Sequence, residues 1–160
     1  MAAAKKAKTA SKNRAARRPA AKRAPAKKAA APQGTRLTQA SPSFTVNDLE
    51  KSLAFYRDVL GFKVDERWER DGKLMGLSLQ AGKVTWMIGQ DDWQKGRDRR
   101  KGEGFRLYCT TTENVDALAR KIKSKGGKLD SEPADQPWGS RDFSLTDPDG
   151  FKITIGAQNR

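Results

Sequence analysis

Val46-Asn47-Asp48-Leu49-Glu50-Lys51-Ser52-Leu53-Ala54-Phe55-Tyr56-Arg57-Asp58-Val59-Leu60-Gly61-Phe62 is the stretch on which the fold turns. Asn47 or Asp48 can cap a helix by accepting a backbone N–H, and Glu50 stands three residues past Asn47, as in a capping box. Apolar residues recur at Leu49, Leu53, Tyr56 and Leu60, the spacing of a one-sided helix, and Gly61 supplies a stop. Ser43–Val46, just before, is a short β-prone run. Three strand candidates follow the helix: Phe62 to Glu69, Leu74 to Gln80 and Lys83 to Gly89. They are separated by Asp71-Gly72, a hairpin signal, and by Ala81-Gly82. The order is β, α, β, β, β.

Working outward, the charged segment Asp91 to Glu103 reads as a loop, and beyond it the same order returns. Phe105 to Thr110 is a strand. Thr112 or Asn114 can cap a helix carrying Val115, Leu118 and Ile122 on one face, and Gly126-Gly127 stops it. Lys128 to Asp130, Arg141 to Thr146 and Lys152 to Ile155 supply three further strands, with Asp149-Gly150 turning between the last two. The chain is therefore expected to be α+β, with two βαβββ modules at 43–90 and 104–157 forming a cup-shaped mixed sheet within a domain at 41–160. A disordered basic tail at 1–40 precedes them.

The quoted stretch resembles the opening of vicinal oxygen chelate domains, a superfamily that includes glyoxalase I, extradiol dioxygenases and the bleomycin and fosfomycin resistance proteins. The closing run from Gln136 through Trp138, Arg141 and Asp147 to Gly150 is similar to the last hairpin of that superfamily, above all in its bleomycin-resistance-like branch. The resemblance covers roughly Ser41 to Ala157. It implies two sheets curled around a ligand, frequent dimerisation and, in many members, a divalent ion held by His and Glu or Gln.

Carried over position by position, three of the four expected metal ligands are missing. Ser41 stands seven residues before Asp48, where His is usual. The matching strand of the second module, Gly104-Phe105-Arg106-Leu107-Tyr108, has no His, and Thr154 occupies the place of the final carboxylate. The chain has no histidine at all, which also excludes a catalytic triad and a His general base. A hydroxyl is a weak donor compared with a carboxylate. No metal and no cofactor are therefore expected, and no catalytic residue is assigned.

Function then falls to shape, aromatic area and charge. The candidate ligand-binding residues are Trp68, Trp86, Arg106, Trp138, Arg141 and Thr154, the tryptophans for contact area and the arginines as clamps for an anionic or planar group. Alternation sends Ile153 and Ile155 to the helices and Thr154 to the cup. Alternation also separates Glu66 from Glu69, so they form no paired-carboxylate site, and Cys109 reads as a buried strand residue. The expected function is a metal-free small-molecule binding protein, a homodimer sequestering an aromatic or anionic compound. A glyoxalase-like lyase or isomerase with an atypical site is the alternative. Bleomycin, being cationic, suits a more acidic domain than this one.

Charge divides the chain sharply. Of 33 Lys and Arg, twelve precede the first acidic residue, Asp48, which leaves 21 basic against 19 acidic groups, or +2, in the rest of a chain whose net charge is +14. From Met1 to Pro32 there is no aromatic residue and no Val, Ile or Leu, so nothing offsets the entropy of ordering, about 1–2 kcal/mol per residue. The segment resembles the Lys/Ala/Pro-rich tails of linker histones and of some bacterial nucleoid proteins. Lys5, Lys6, Lys12, Arg14, Arg17, Arg18, Lys22, Arg23, Lys27 and Lys28 are its candidates for non-specific nucleic-acid binding through phosphate neutralisation. This is a third reading of function; a solvated extension or a transit peptide is the alternative for the segment. One cysteine cannot form an intramolecular disulfide and no apolar run reaches 18 residues, so a cytoplasmic or nucleoid-associated protein without a membrane partner is expected.

Overall fold

A strand at Ser43–Val46 (β1) leads into a helix at Leu49–Ala54 (α1), which widens into one π-helical turn over Phe55–Val59. Strands Lys63–Arg70 (β2), Lys73–Ala81 (β3) and Val84–Gln90 (β4) complete the first module. The second repeats the plan with Arg106–Thr110 (β5), Val115–Ser124 (α2), Ser131–Asp135 (β6), Ser140–Thr146 (β7) and Lys152–Gln158 (β8). The structure, a computed structural model, describes residue 35 and residues 38–158. The ten Lys and Arg candidates between Lys5 and Lys28 lie outside the described residues.

Asp48, rather than Asn47, caps α1, accepting the Lys51 N–H at 3.0 Å. Asn114 caps α2 the same way, from the Ala117 N–H at 2.9 Å. The first sheet, A, has the order β1-β4-β3-β2 and the second, B, the order β5-β8-β7-β6. In each the opening strand pairs in parallel with the last one, β1 with β4 and β5 with β8. One strand starts later than the sequence reading has it. Residues 126 and 127 still close α2, their N–H groups donating to Lys123 O and Ile122 O at 3.0 Å, and the ladder begins only where Ser131 meets Ser144. Pro133, which has no N–H to give, falls where the register slips on this edge strand.

One face of each sheet and both helices share a single core. Val46, Leu77, Leu79, Trp86 and Ile88 of the first module join Val115, Ile122, Phe143, Leu145 and Ile153 of the second, with Leu49, Leu53 and Tyr56 from α1 and its extension. Trp86 is 2% exposed and meets Tyr56 edge-on at 5.6 Å and Phe62 at 4.7 Å. Burying a side chain of this size contributes about 4–6 kcal/mol before entropy is counted. Because the helix-bearing sides of both sheets turn inward, their other faces turn away from the core.

A polar clasp crosses this core between the modules. The Tyr56 hydroxyl donates to Asp147 at 2.7 Å, and Asp147 also accepts the Phe151 and Asp149 N–H groups at 2.8 and 2.9 Å. Asp149, beside it in the β7–β8 turn, accepts from the Asn47 N–H at 2.8 Å and the Ser52 hydroxyl at 3.2 Å. Burial pushes the Asp147 carboxyl above its ordinary range against the pull of these donors, and burial together with Asp147 pushes the Tyr56 phenol far up, so it stays a donor. Replacing Tyr56 with Phe keeps the ring and leaves a buried acceptor short of one partner. The expected cost is about 1–3 kcal/mol in urea denaturation, with secondary structure retained by circular dichroism.

Candidate functional site

The outward face of sheet A is assembled by alternation interrupted twice. Register shifts occur between Val64 and Glu66 and between Trp68 and Glu69. At the first, Asp65 is the extra residue of a β-bulge, so it lies on the same side as Glu66, opposite Ser78, and accepts from the Ser78 hydroxyl at 3.4 Å. Trp68, opposite Gly76, donates its indole N–H to Glu66 at 3.2 Å. Its ring lies on the glycine, for a Cβ there would stand 2.7 Å from Trp68 Cε3. Two carboxylates and a large aromatic, 39% exposed, therefore share one open surface.

The outward face of sheet B carries a pair of cations. Arg106 pairs with Lys152 and Tyr108 with Thr154 across the parallel β5–β8 ladder, so these four share that face. Arg106 Nη1 donates to Thr154 Oγ1 at 2.8 Å, and Tyr108 is 76% exposed. Of the residues that the sequence singles out, Arg106 and Thr154 are thus brought together. Trp68 lies on the other module, and Trp138, 67% exposed, sits in the turn between β6 and β7.

Two candidates are corrected. Trp86 does not face the cup: it stands opposite Leu79 on the core side of β4, because period two puts it in phase with Ile88. Arg141 likewise points to the helix side of β7, in phase with Phe143 and Leu145. There its guanidinium makes a bidentate pair with Asp116 of α2 at 2.8 and 2.9 Å, reaches Pro133 O at 3.2 Å and meets Asp135 at 3.2 Å. With its fork spent this way it staples helix to sheet and has no clamp to offer.

Asp65, Glu66, Tyr108 and Lys152 are the residues that sequence reasoning missed. Strict alternation along Arg106-Leu107-Tyr108-Cys109-Thr110 carries the signal for Tyr108. No such signal exists for Asp65, because a bulge cannot be seen in a period-two pattern.

Hollows lie around the modules among the described residues. A groove of about 690 Å³ runs between residues 99–106 and the β7–β8 turn, with Lys152 on its wall. Another, of about 670 Å³, lies at the start of α2 around Asp116 and Arg141. An apolar cleft of about 540 Å³ between the modules is lined by Phe62, Trp86, Leu118, Ile122 and Cys109. Burial there pushes the Cys109 thiol up to about 11, which leaves it protonated and unsuited to nucleophilic work.

The metal that the resemblance implies does not fit. Thr154, at the usual carboxylate position, already has a guanidinium on its hydroxyl. A divalent ion there would face a fixed positive charge and a neutral oxygen. Among the described residues no three of His, Cys, Asp or Glu come together as a ligand set.

A Cβ at residue 76 cannot coexist with the seated indole. Gly76→Ala should push Trp68 off the sheet, seen as red-shifted emission and stronger acrylamide quenching, with the fold kept by circular dichroism.

Residues 37–155 match the family model of the Glyoxalase/Bleomycin resistance protein/Dioxygenase superfamily. A bleomycin resistance protein of Geobacillus stearothermophilus is 28% identical over 131 residues, spanning 76% of this chain and 98% of the relative. A probable lactoylglutathione lyase of Synechocystis is 30% identical over 120 residues, spanning 69% and 87%. In structure, the antibiotic binding protein TnmS3 of Streptomyces superposes with a TM-score of 0.61 at 23% identity over 79% of this chain and all of that one, a likeness of fold. With most of its length inside the family model and both modules in the family's order, the chain belongs to the glyoxalase/bleomycin resistance protein/dioxygenase superfamily.

Proposed function

We propose that this protein binds an aromatic or anionic small molecule without a metal ion, in a cup completed by a second copy. The open face of sheet A on one protomer would lie over the open face of sheet B on its partner, giving two equivalent cups by two-fold symmetry. One observation carries this reading. The two outward faces hold the exposed aromatics Trp68 and Tyr108, with Glu66 bonded to the first and Arg106 on the strand of the second. Large aromatics on two outward faces call for a cover, a ligand or both. Trp68 supplies stacking area, Arg106 a charged hydrogen-bond donor held by Thr154, and Trp138 an aromatic at the rim. The bleomycin resistance relatives and the antibiotic-binding neighbour support a binding role.

A lyase reading draws on the lactoylglutathione lyase relative. It needs a base and a Lewis acid at a position where this chain has Thr154 beside Arg106.

Sedimentation should give a dimer that Tyr108→Glu, which puts a charge into the covered face, weakens. Aromatic antibiotics and dyes should quench tryptophan emission in wild type, and less in Trp68→Ala, equally with and without chelator. Hemithioacetals of methylglyoxal should not turn over even with added Zn or Ni. A monomer, or turnover that metal restores, would sink the proposal.

The twelve cations ahead of Asp48 support a separate role in holding nucleic acid non-specifically. Full-length protein should shift duplex DNA in gels with an affinity that falls steeply with salt, and a chain beginning at Ser41 should lose most of that shift. Equal binding by the two would end this idea.

A further inference from the structure

Directly opposed like charges destabilise a sheet, yet Arg106 and Lys152 stand opposite each other on β5 and β8. Neither has a carboxylate within ion-pairing distance among the described residues. The pair lies on the wall of the groove of about 690 Å³ that residues 99–106 form with the β7–β8 turn. Both acids of that groove are engaged or remote. Asp149 accepts from Asn47 and Ser52, and Glu103 is 3.9 Å from Arg100, both side chains well exposed. Lys101 and Arg99 also line the groove but are paired with Asp91, whose carboxyl Lys101, chiefly, holds well below the usual range. What faces the opening as uncompensated charge is therefore Arg106, Lys152 and the loosely paired Arg100.

The two walls of the groove meet in close backbone contact. Gly102, at φ +69°, lies so near the opposite turn that a Cβ would come within 2.2 Å of Gly150 O, and Gly150 itself has φ +95°. Thr154 keeps the Arg106 guanidinium oriented, at 2.8 Å. Phe105, 39% exposed, offers an aromatic surface on the same wall.

We propose that this groove binds a phosphate group, with Arg106 as the forked donor and Lys152 and Arg100 as the flanking charges. A phosphate monoester or diphosphate end carries close to two negative charges near pH 7 and presents several acceptor oxygens. It would offset the two facing cations at once, and guanidinium geometry suits it. The groove has room for a nucleotide-sized molecule. This names the anion class for the Arg106 part of the binding reading and rests on it there alone, since every residue involved belongs to one chain.

The test is nitrogen-15 NMR titration of the full chain with inorganic pyrophosphate and, separately, with random-sequence duplex DNA, at fixed ionic strength. Pyrophosphate should shift the amides of residues 100–106 and 150–153 in a saturable way. Lys152→Gln and Arg106→Gln should each weaken that binding about tenfold, while Lys128→Gln, outside the groove, should not. Lys152→Gln should leave the melting temperature unchanged or higher, because it relieves repulsion. If only DNA shifts these amides, the phosphate source is a polynucleotide backbone and the site stands. If neither probe moves them, or the shifts survive both substitutions together, the proposal is overturned. Aromatic quenching and sedimentation use probes without phosphate, so they stand or fall separately.

Discussion

A phenol hydrogen-bonded to a buried carboxylate joins the two halves of this molecule. Tyr56 comes from the end of the first helix and Asp147 from the last hairpin of the second module, and their 2.7 Å contact lies inside the shared core. Buried polar groups are costly unless paired, so the pair selects the one docking of the modules in which each satisfies the other. Asp149 extends the clasp to Asn47 and Ser52, fixing the start of the first helix to the same turn. Once the modules meet through their helix-bearing sides, both outward faces are determined.

Those faces follow from small departures from regularity. The bulge at Asp65 adds a second acid to the surface that carries Glu66 and Trp68. Gly76 leaves room for the indole to lie flat on the strand, a covering of bare backbone that recurs where glycine weakens a sheet. On the second module regular alternation lines up Arg106, Tyr108, Lys152 and Thr154. The near-neutral charge of the folded region thus hides local clusters, Asp65 with Glu66 on one face and Arg106 with Lys152 on the other, which a sum over residues cannot reveal.

The elements were legible in the sequence because local physics writes them. Helix caps are one side chain accepting one N–H, hairpin turns need particular residues, and apolar spacing names the buried side. The same local rule, applied along β7 and β4, would have kept Arg141 and Trp86 out of the cup, for each is in phase with core residues. They drew attention through residue type, since an arginine beside a tryptophan looks like a ligand clamp. Asp116 had the prior claim, and it is 25 positions away in the chain.

By itself the sequence determined the two repeated modules, the concentration of positive charge ahead of Asp48, and the lack of imidazole that removes the family's usual metal ligands. These depend on residue identity and near neighbours, which need no folding to be read. Only the tertiary structure decided that Trp86 is core, that Arg141 staples a helix, and that Arg106 and Lys152 confront each other beside an open groove. Those outcomes depend on pairing register and on which carboxylate reaches a cation first, and both are set by contacts between residues far apart in the chain.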